Sequence, residues 1–355
     1  MSEPPLVSII IPCRNEEQFL ANCLDSILSS DYPKEKLEIL VVDGMSTDGT
    51  KAILEQYIQR HDPIRVLVNP KRITPIAFNI GIDHARGDLI MMMSAHATYN
   101  QDAIRKCVEY SCQYKADNVG GAWRIKARDP GLVGNAIVAA LSHRFGVGGA
   151  IYRTTSKKSG VQPVDTAAFG CYRREVFDKI GKYNEQLVRC QDIELNLRLK
   201  SAGGTTLLAP DVVINYFART KLSTFCEHSF QDGTWVILPF AHSTVMPVGW
   251  RHLVPLAFVS AVIASALLAA MAALFVWVLV GILGIYAVAS FIASLDIAYK
   301  KQDPRFLLVM PLVFLSLHGS YGLGSLWGCA NLVVTNQWKR LLVLSWRQAT
   351  IRSAP

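Results

Sequence analysis

Residues 37–50 read LEILVVDGMSTDGT, a buried strand followed by a polar turn and the start of a helix. The apolar run Leu37–Val42 is typical of a strand covered on both faces. The Ser, Thr and Asp side chains at 46–48 can cap a helix and predict one over Lys51–Ile58. Asp43 therefore stands at the carboxyl end of a strand, where its carboxylate can accept hydrogen bonds from a ligand.

The alternation of strand and helix continues on both sides of this stretch. Apolar runs predict strands at Leu6–Ile11, Ile64–Val68 and Leu89–Met93, and helical spacing predicts helices at Glu16–Leu28 and Ile76–Ala85. This order predicts an α/β fold with a mostly parallel sheet and helices on both faces. Ligands bind such sheets beyond the carboxyl ends of the strands. The loops at those ends are residues 12–16, 43–50, 69–75 and 94–100.

The C-terminal third has the composition of a membrane region. Apolar residues make up 51% of the 355-residue chain and charged residues only 18%, whereas soluble domains carry about 25%. The 43 residues between His252 and Asp296 contain no Asp, Glu, Lys, Arg or His, which allows two spanning helices with a turn near Leu274–Gly284. Phe306–Gln337 predicts a third. Gly324 and Gly328 form a G-x-x-x-G pair, which either permits close helix packing or reflects chance.

These features predict a cytosolic domain over 1–235, an interfacial linker over 236–252, a transmembrane region over 253–337 and a basic tail over 338–355. Residues 251–355 carry eight Lys/Arg and two Asp/Glu, hence +6 of the chain's net charge of +8. Basic residues that flank apolar segments indicate a membrane anchor rather than a nucleic-acid surface. Whether the third apolar segment crosses or re-enters stays open, because a crossing would place the basic tail outside.

Other functional classes are excluded by missing patterns. The eight cysteines form no C-x-x-C pair, so neither a disulfide framework nor a structural zinc site is expected. No phosphate-binding G-x-G-x-x-G or G-x-x-x-x-G-K-[ST] follows the strands. In the first loop, Asn15 and Glu16 can either bind a ligand or serve as a helix N-cap and an acidic first turn.

Several motifs in order now carry a resemblance to a known family. They are P-x-R-N-E from Pro12, V-V-D-G-x-S-x-D-G-T from Val41, A-x-N-x-G-I around Asn79 and A-x-G-D from Ala85. The chain resembles the family 2 inverting glycosyltransferases, which implies a nucleotide-diphospho-sugar transferase (GT-A) fold over about residues 5–240. Three further stretches resemble succinoglycan-type glucosyltransferases of bacterial exopolysaccharide synthesis: 145–150, 164–170 and 191–198, followed by a C-terminal membrane region.

The resemblance implies roles for individual residues. The nucleotide pocket, usually for uridine, would comprise Pro12, Arg14, Asn15, Glu16 and Asp43, and the donor edge would include Arg72, Asn79 and Ser94. Asp192 matches the catalytic base, and it could also cap a helix over Ile193–Ser201. Asp165, Gln191 and Trp235 would contact the acceptor, whereas Trp123 is expected to pack in the core.

The chain departs from the family at the metal motif. Where the family has Asp-x-Asp, this sequence reads Ser94-Ala95-His96, so His96 becomes the candidate ligand for Mn or Mg. The alternatives are a direct contact of His96 with phosphate, or a weakened site. A second departure is Thr234, which replaces the arginine of the Q-x-x-R-W motif that processive synthases carry at 231–235.

The expected function is a membrane-anchored inverting transfer of a hexose from a UDP-sugar to a lipid-linked saccharide. The acceptor would be a polyprenyl diphosphate sugar at the cytosolic face of a bacterial inner membrane, and no nucleic acid is expected as a partner. Two alternatives remain at this point. One is a processive polysaccharide synthase, and the other is a degenerate sugar-nucleotide-binding protein.

Overall fold

The structure is a computed structural model, and it describes residues 3–156, 159–167, 169–239, 243 and 250–335. These residues fall into two compact units. The described residues of 1–124 and 151–217 form the first unit, and those of 125–150 and 218–335 form the second. The predicted domain boundaries at 235, 252 and 337 stay a prediction.

The strands and helices alternate along the first half of the chain. The strands are β1 Val7–Cys13, β2 Leu37–Asp43, β3 Ile64–Val68, β4 Leu89–Met92, β5 Ala97–Tyr99, β6 Asn118–Ala127, β7 Gln162–Pro163, β8 Cys171–Arg173 and β9 Thr206–Ala218. The helices are α1 Leu20–Leu28, α2 Thr50–Arg60, α3 Thr74–His84, α4 Ala103–Gln113, α5 Leu132–Ser142, α6 Arg144–Val147, α7 Ile151–Thr154, α8 Arg174–Ile180, α9 Gln191–Ser201, α10 Leu222–Ile237, α11 Val254–Leu268, α12 Ala273–Lys301 and α13 Phe306–Val334.

One sheet runs in the order β3-β2-β1-β4-β8-β6-β9-β5, with β7 paired to β9. The first four strands are parallel, and β1 aligns Cys13 with Asp43 of β2. Beyond β4 the pairs β4–β8, β6–β8, β5–β9 and β7–β9 are antiparallel. The central strands β1, β2 and β4 are almost wholly buried, as continuous apolar runs require in a sheet covered on both faces. The predicted α/β fold class is confirmed.

The predicted elements of the parallel half are present, and the largest shift of a predicted boundary is at the first helix. Helix α1 begins at Leu20 rather than at Glu16, and its N-cap is Phe19. The predicted N-cap role of Asn15 is therefore wrong. Asn15 has a φ of 56°, and its side-chain oxygen accepts a hydrogen bond from the Thr47 N–H across the loops. The polar residues before the helix are used to join two loops, so they cannot extend the helix.

Among the residues that the structure describes, three C-terminal helical segments are long and apolar enough to cross a membrane: Arg251–Leu268, Ala273–Lys301 and Phe306–Val334. The turn between the first two lies at 269–272, so the turn predicted near 274–284 is wrong. A Cβ added at Gly281 or Gly284 would meet no atom within 4 Å, and both glycines stay inside α12. Glycine alone does not end a helix whose apolar stretch continues on both sides.

His318 of α13 joins this region to the glycine-rich segment at 145–150. Its Nε2 lies 3.0 Å from the carbonyl oxygen of Phe145, and its Nδ1 lies 3.0 Å from the Tyr286 hydroxyl. The Phe145 ring contacts the His318 ring edge to face, with a centroid separation of 5.1 Å. Both imidazole nitrogens are thus satisfied within the second unit, as a polar group among apolar helices requires.

The Gly324/Gly328 pair packs against α10. A Cβ at Gly324 would overlap the Phe230 carbonyl oxygen, and one at Gly328 would lie 2.9 Å from the carbonyl oxygen of Thr234. The Thr234 hydroxyl donates to the Gly324 carbonyl at 3.0 Å, and the Ser325 hydroxyl donates to the Gly233 carbonyl at 3.2 Å. Close packing rather than chance explains this glycine pair. Thr234, where processive synthases carry arginine, is a helix-packing residue here.

Gly324→Leu is expected to lower the thermal unfolding midpoint in detergent, because overpacking a close helix contact costs about 1–3 kcal/mol. Gly281→Leu is the matched control, since its Cβ position in α12 is open. Equal midpoints for the two variants would contradict the assigned packing of α10 on α13.

Candidate functional site

The candidate site begins where two loops are tied together at the carboxyl ends of β1 and β2. The Asn15 N–H donates to the Ser46 hydroxyl at 2.9 Å, and the Glu16 N–H donates to the Thr50 hydroxyl at 2.9 Å. In return, the Gly49 N–H donates to the Glu17 carboxylate at 2.7 Å. Reciprocal side-chain to backbone bonds fix both loops, so the residues predicted to bind a nucleotide share one rigid edge.

Asp43 is buried at the centre of this edge. Its carboxylate accepts hydrogen bonds from the Ser46 N–H at 3.1 Å and from the Ser46 hydroxyl at 2.5 Å. Pro12 comes one residue before Cys13, the residue that pairs with Asp43 in the strand register. Pro12 is half-buried, whereas Arg14 is exposed. Ser46 therefore orients the Asp43 carboxylate, and Arg14 is a cation that this edge presents to solvent.

The loop after β3 joins the same edge through Asn69. Its N–H donates to the Asp43 carbonyl at 2.7 Å, and its side-chain oxygen accepts from the N–H of Arg72 at 3.2 Å. Arg72 has a φ of 62° and an exposed side chain. Asn79 is placed differently, because its side chain makes two hydrogen bonds with the backbone of Tyr183. The predicted donor contact of Asn79 stays a prediction.

His96 follows β4 and is held on both sides. Its Nδ1 lies 2.9 Å from the Glu16 carboxylate, and its Nε2 lies 3.2 Å from the Tyr216 hydroxyl. Ser94 is buried, and its N–H donates to the Tyr99 hydroxyl at 2.7 Å. The structure therefore brings Glu16 and His96, two predicted site residues, into direct contact.

The residues at this edge include few possible ligands for a cation. In the described part of the chain, no group of three or more His, Cys, Asp or Glu side chains could hold a metal ion. Mg²⁺ in nucleotide enzymes is nevertheless held by few protein ligands together with substrate phosphates and water. A ligand histidine usually donates its second N–H to a carboxylate, as Nδ1 of His96 can to Glu16. Nε2 fits as a single protein ligand if the Tyr216 hydroxyl moves away.

Trp123 lies in an aromatic stack next to His96, at the core. Its ring is stacked on Tyr216 with a centroid separation of 4.5 Å, and on Phe169 with a separation of 5.3 Å. The residue is only 6% exposed, which confirms the predicted packing role. Tyr216 thus links the core stack to Nε2 of His96 and limits how the imidazole can turn.

Asp192 lies in the first turn of α9, and the N-cap of that helix is Cys190. The predicted capping role of Asp192 is therefore wrong, because the helix begins one residue before it. Its Oδ1 accepts a hydrogen bond from the Tyr183 hydroxyl at 3.3 Å. Burial of the carboxyl group raises the pKa of Asp192 to about 6, and the hydrogen bond from Tyr183 opposes that rise. A carboxylate with this pKa is deprotonated at neutral pH and still basic enough to take a proton.

Asn196 fixes the position of Asp192 from one helical turn further on. Its amide nitrogen donates to the Asp192 carbonyl at 2.7 Å and to the Ala167 carbonyl at 3.1 Å. Its amide oxygen accepts from the side chains of Asn118 at 2.7 Å and Thr206 at 3.2 Å. Asn196 is fully buried, so this network anchors the start of α9 to the sheet.

The residues predicted to contact the acceptor lie on different elements of the chain. Asp165 is exposed and pairs with Lys200 at 2.5 Å. Gln191 is the first residue of α9, and Trp235 belongs to α10 of the second unit. Their acceptor roles stay predictions.

Sequence reasoning missed Tyr183, Asn196 and Tyr216. The spacing of Asn196 four residues after Asp192 was a usable signal, because residues at that spacing share one face of a helix. Tyr183 and Tyr216 gave no such signal, since their partners lie 9 and 120 residues away along the chain and depend on the assembled sheet.

The fold and this edge define a GT-A domain, in which a nucleotide-sugar site is built at the carboxyl ends of parallel strands. The solved structure of mannosyltransferase PcManGT from Pyrobaculum calidifontis, in complex with GDP-Man and Mn²⁺, has the same fold. It has a TM-score of 0.56 and 17% identity, and the match covers 92% of this chain and 88% of that one.

Residues 8–181 match the family model of glycosyl transferase family 2. This chain therefore carries a family 2 glycosyltransferase domain and is a glycosyltransferase, as its motifs predicted.

Two of the relatives each match more than four fifths of the chain. A dolichyl N-acetyl-alpha-D-glucosaminyl phosphate 3-beta-D-2,3-diacetamido-2,3-dideoxy-beta-D-glucuronosyltransferase of Methanococcus voltae is 27% identical over 87% of this chain and 92% of its own length. Succinoglycan biosynthesis protein ExoA of Rhizobium meliloti is 28% identical over 83% of this chain and 87% of its own length. Both matches extend beyond the family domain into the C-terminal region.

Asn196→Ala is expected to lower the free energy of unfolding of the first unit by about 1–3 kcal/mol, since it leaves buried partners without a hydrogen bond. Chemical denaturation followed by tryptophan fluorescence measures the change. The control is Asn184→Ala, whose side chain accepts from the Gln186 N–H at an exposed position. A loss no larger than that of the control would contradict the anchoring role.

Proposed function

We propose that this protein is a membrane-anchored inverting glycosyltransferase that moves a hexose from a UDP-sugar to a lipid-linked saccharide. The observation that supports it most is the Asp192 carboxyl group, which is held by Tyr183 and has a pKa raised to about 6 within a family 2 domain. A group of this kind suits general base catalysis near neutral pH.

The proposed reaction is a single displacement. Asp192 takes the proton from the acceptor hydroxyl as its oxygen attacks the anomeric carbon of the donor sugar. The bond from that carbon to the diphosphate oxygen breaks, and the nucleoside diphosphate leaves with the electron pair. One displacement inverts the anomeric configuration, so no enzyme nucleophile is required.

The proposed donor site is the edge formed by the loops after β1, β2 and β3. Asp43, oriented by Ser46, would accept hydrogen bonds from the nucleoside, and the exposed Arg14 and Arg72 would face the phosphates. The preference for UDP rests on the family resemblance. Because PcManGT is in complex with GDP-Man, a donor screen must include GDP-sugars.

The proposed cation ligand is Nε2 of His96, with Glu16 holding Nδ1. A bound Mn²⁺ or Mg²⁺ would stabilise the negative charge that develops on the leaving diphosphate. The contribution of the chain itself is orientation, because the hydrogen bond to Glu16 fixes the tautomer and the plane of the imidazole.

The proposed acceptor is presented by a membrane. Three helices of suitable length and hydropathy follow the family domain, and the Methanococcus relative is named for a dolichyl phosphate-linked sugar. We place the catalytic domain, 1–235, on the cytosolic side of a bacterial inner membrane and a polyprenyl diphosphate saccharide in the acceptor site. Thr234 packs α10 against α13, which disfavours processive synthesis at that motif.

The test is transfer of labelled hexose from UDP- and GDP-sugars to lipid extracts, with the full chain in membranes. Addition of one sugar per acceptor is expected with a UDP-sugar. Asp192→Asn should keep nucleotide binding but reduce transfer by about 10²–10⁴, the usual contribution of a general base.

Asp25→Asn is the matched control, because that carboxylate also accepts from a tyrosine, Tyr57, at 2.6 Å, but lies on α1. Near-normal transfer by Asp192→Asn would refute the base assignment. Long products would favour a processive synthase, and a protein that binds UDP-sugars without transfer or hydrolysis would be a binding protein.

A second test concerns the cation. His96→Ala should weaken Mn²⁺-dependent UDP binding measured by calorimetry and leave metal-free binding unchanged, whereas His96→Asp should recover part of it because carboxylate oxygen suits hard ions. Tyr216→Phe should strengthen the metal-dependent binding, since it removes the hydroxyl that engages Nε2.

His84→Ala serves as the control, because His84 lies exposed at the end of α3. Binding that resists chelator, and that His96→Ala weakens without metal, would instead make His96 a direct phosphate contact.

A further inference from the structure

We infer that Tyr183 is a positioning residue that fixes the Asp192 carboxyl group toward the acceptor hydroxyl. This inference rests on the proposed function, in which Asp192 is the base. The Tyr183 hydroxyl donates to Oδ1 of Asp192 at 3.3 Å, and Oδ2 then remains to take the acceptor proton.

The Tyr183 side chain is itself held from two directions. Its ring stacks on Phe78 of α3 with a centroid separation of 4.9 Å and an interplanar angle of 23°. Its backbone N–H donates to the Asn79 side-chain oxygen at 2.9 Å, and its carbonyl accepts from the Asn79 amide at 3.0 Å. Because both the ring and the backbone are fixed and the residue is buried, the hydroxyl has little freedom to leave Asp192.

Asp192 is also held by its own helix. The Asn196 amide donates to the Asp192 carbonyl at 2.7 Å and restrains the backbone that carries the carboxyl group. Helix α3 therefore holds Tyr183, and helix α9 holds Asp192. A base held within a fraction of an ångström is what proton transfer in a displacement requires.

The charges around Asp192 give the hydrogen bond a measurable consequence. Two titratable groups of the described chain that interact with its carboxyl group are the phenols of Tyr183 and of Tyr172 on β8. The neighbouring acid on α9, Glu194, is paired with Arg198 at 3.0 Å. Burial raises the pKa of Asp192 and the bond from Tyr183 lowers it, so removing the phenol hydroxyl should raise the pKa further.

The experiment is the pH dependence of kcat/KM for the full chain carrying Tyr183→Phe, with the UDP-sugar and lipid acceptor of the preceding assay. The acid limb of this pH profile is the range in which activity falls as Asp192 becomes protonated. It should move up by about one pH unit, because one hydrogen bond to a carboxylate shifts its pKa by about that much. The ratio of activity at pH 6 to that at pH 9 should then fall about fivefold. A purely structural role would lower activity at every pH without moving the limb.

Tyr57→Phe is the matched control, since it removes a tyrosine hydroxyl bonded to Asp25 on a helix outside the site, and its limb should stay in place. UDP binding measured in parallel shows that each variant is folded. If Tyr183→Phe does not fold, replacement of Tyr183 by 3-fluorotyrosine, a stronger donor of the same shape, should move the limb to lower pH.

The outcomes distinguish the positioning role of Tyr183 from the assignment of Asp192 as the base. An acid limb that neither variant of Tyr183 moves, with Asp192→Asn inactive, overturns the positioning role and leaves the proposed function in place. Active Asp192→Asn overturns the base assignment and the positioning role together. A limb that moves up with Tyr183→Phe, but not with Tyr57→Phe, supports the inference.

Discussion

The parallel register of β1 between β2 and β4 is the constraint on which the site depends. These strands are buried on both faces, so a slip of one residue would carry apolar side chains out of the core and is strongly disfavoured. The register places Cys13 opposite Asp43 and brings the loops that follow them side by side. Only then can Asn15 and Ser46 bond to one another and leave the Asp43 carboxylate oriented.

Two carboxylates of the domain have pKa values shifted in opposite directions, although burial raises both. Glu38 is buried at the other end of β2, where Ser8, Arg65 and Arg86 donate hydrogen bonds to it. Burial raises its pKa, but the hydrogen bonds from Ser8 and Arg86 outweigh burial and hold the pKa below the ordinary value. Asp192 has one phenol as its side-chain donor, so burial dominates and raises its pKa to about 6. The number of donors thus separates a structural carboxylate from one that can accept a proton.

The sequence predicted those features that depend on local pattern. The strands of the parallel half, the three apolar helices and the site loops follow from apolar runs and turn residues, so they could be predicted. The start of α1 could not, because its polar residues were drawn into contacts with residues about 30 positions later. Tyr183 and Tyr216 were missed for the same reason, as their roles exist only once distant strands and helices have assembled.

Residues 94 and 96 are Ser and His rather than two carboxylates, and this difference changes how the edge can bind a diphosphate. An Asp-x-Asp pair would add two negative charges, which need a cation before an anionic donor can bind. Here one imidazole replaces them, and Glu16 is the carboxylate in contact with it. The edge therefore carries less negative charge of its own, and the exposed Arg14 and Arg72 add positive charge to the loops around it. Donor binding at this edge should depend less on a cation than it would beside two carboxylates, because there is less repulsion for the cation to offset.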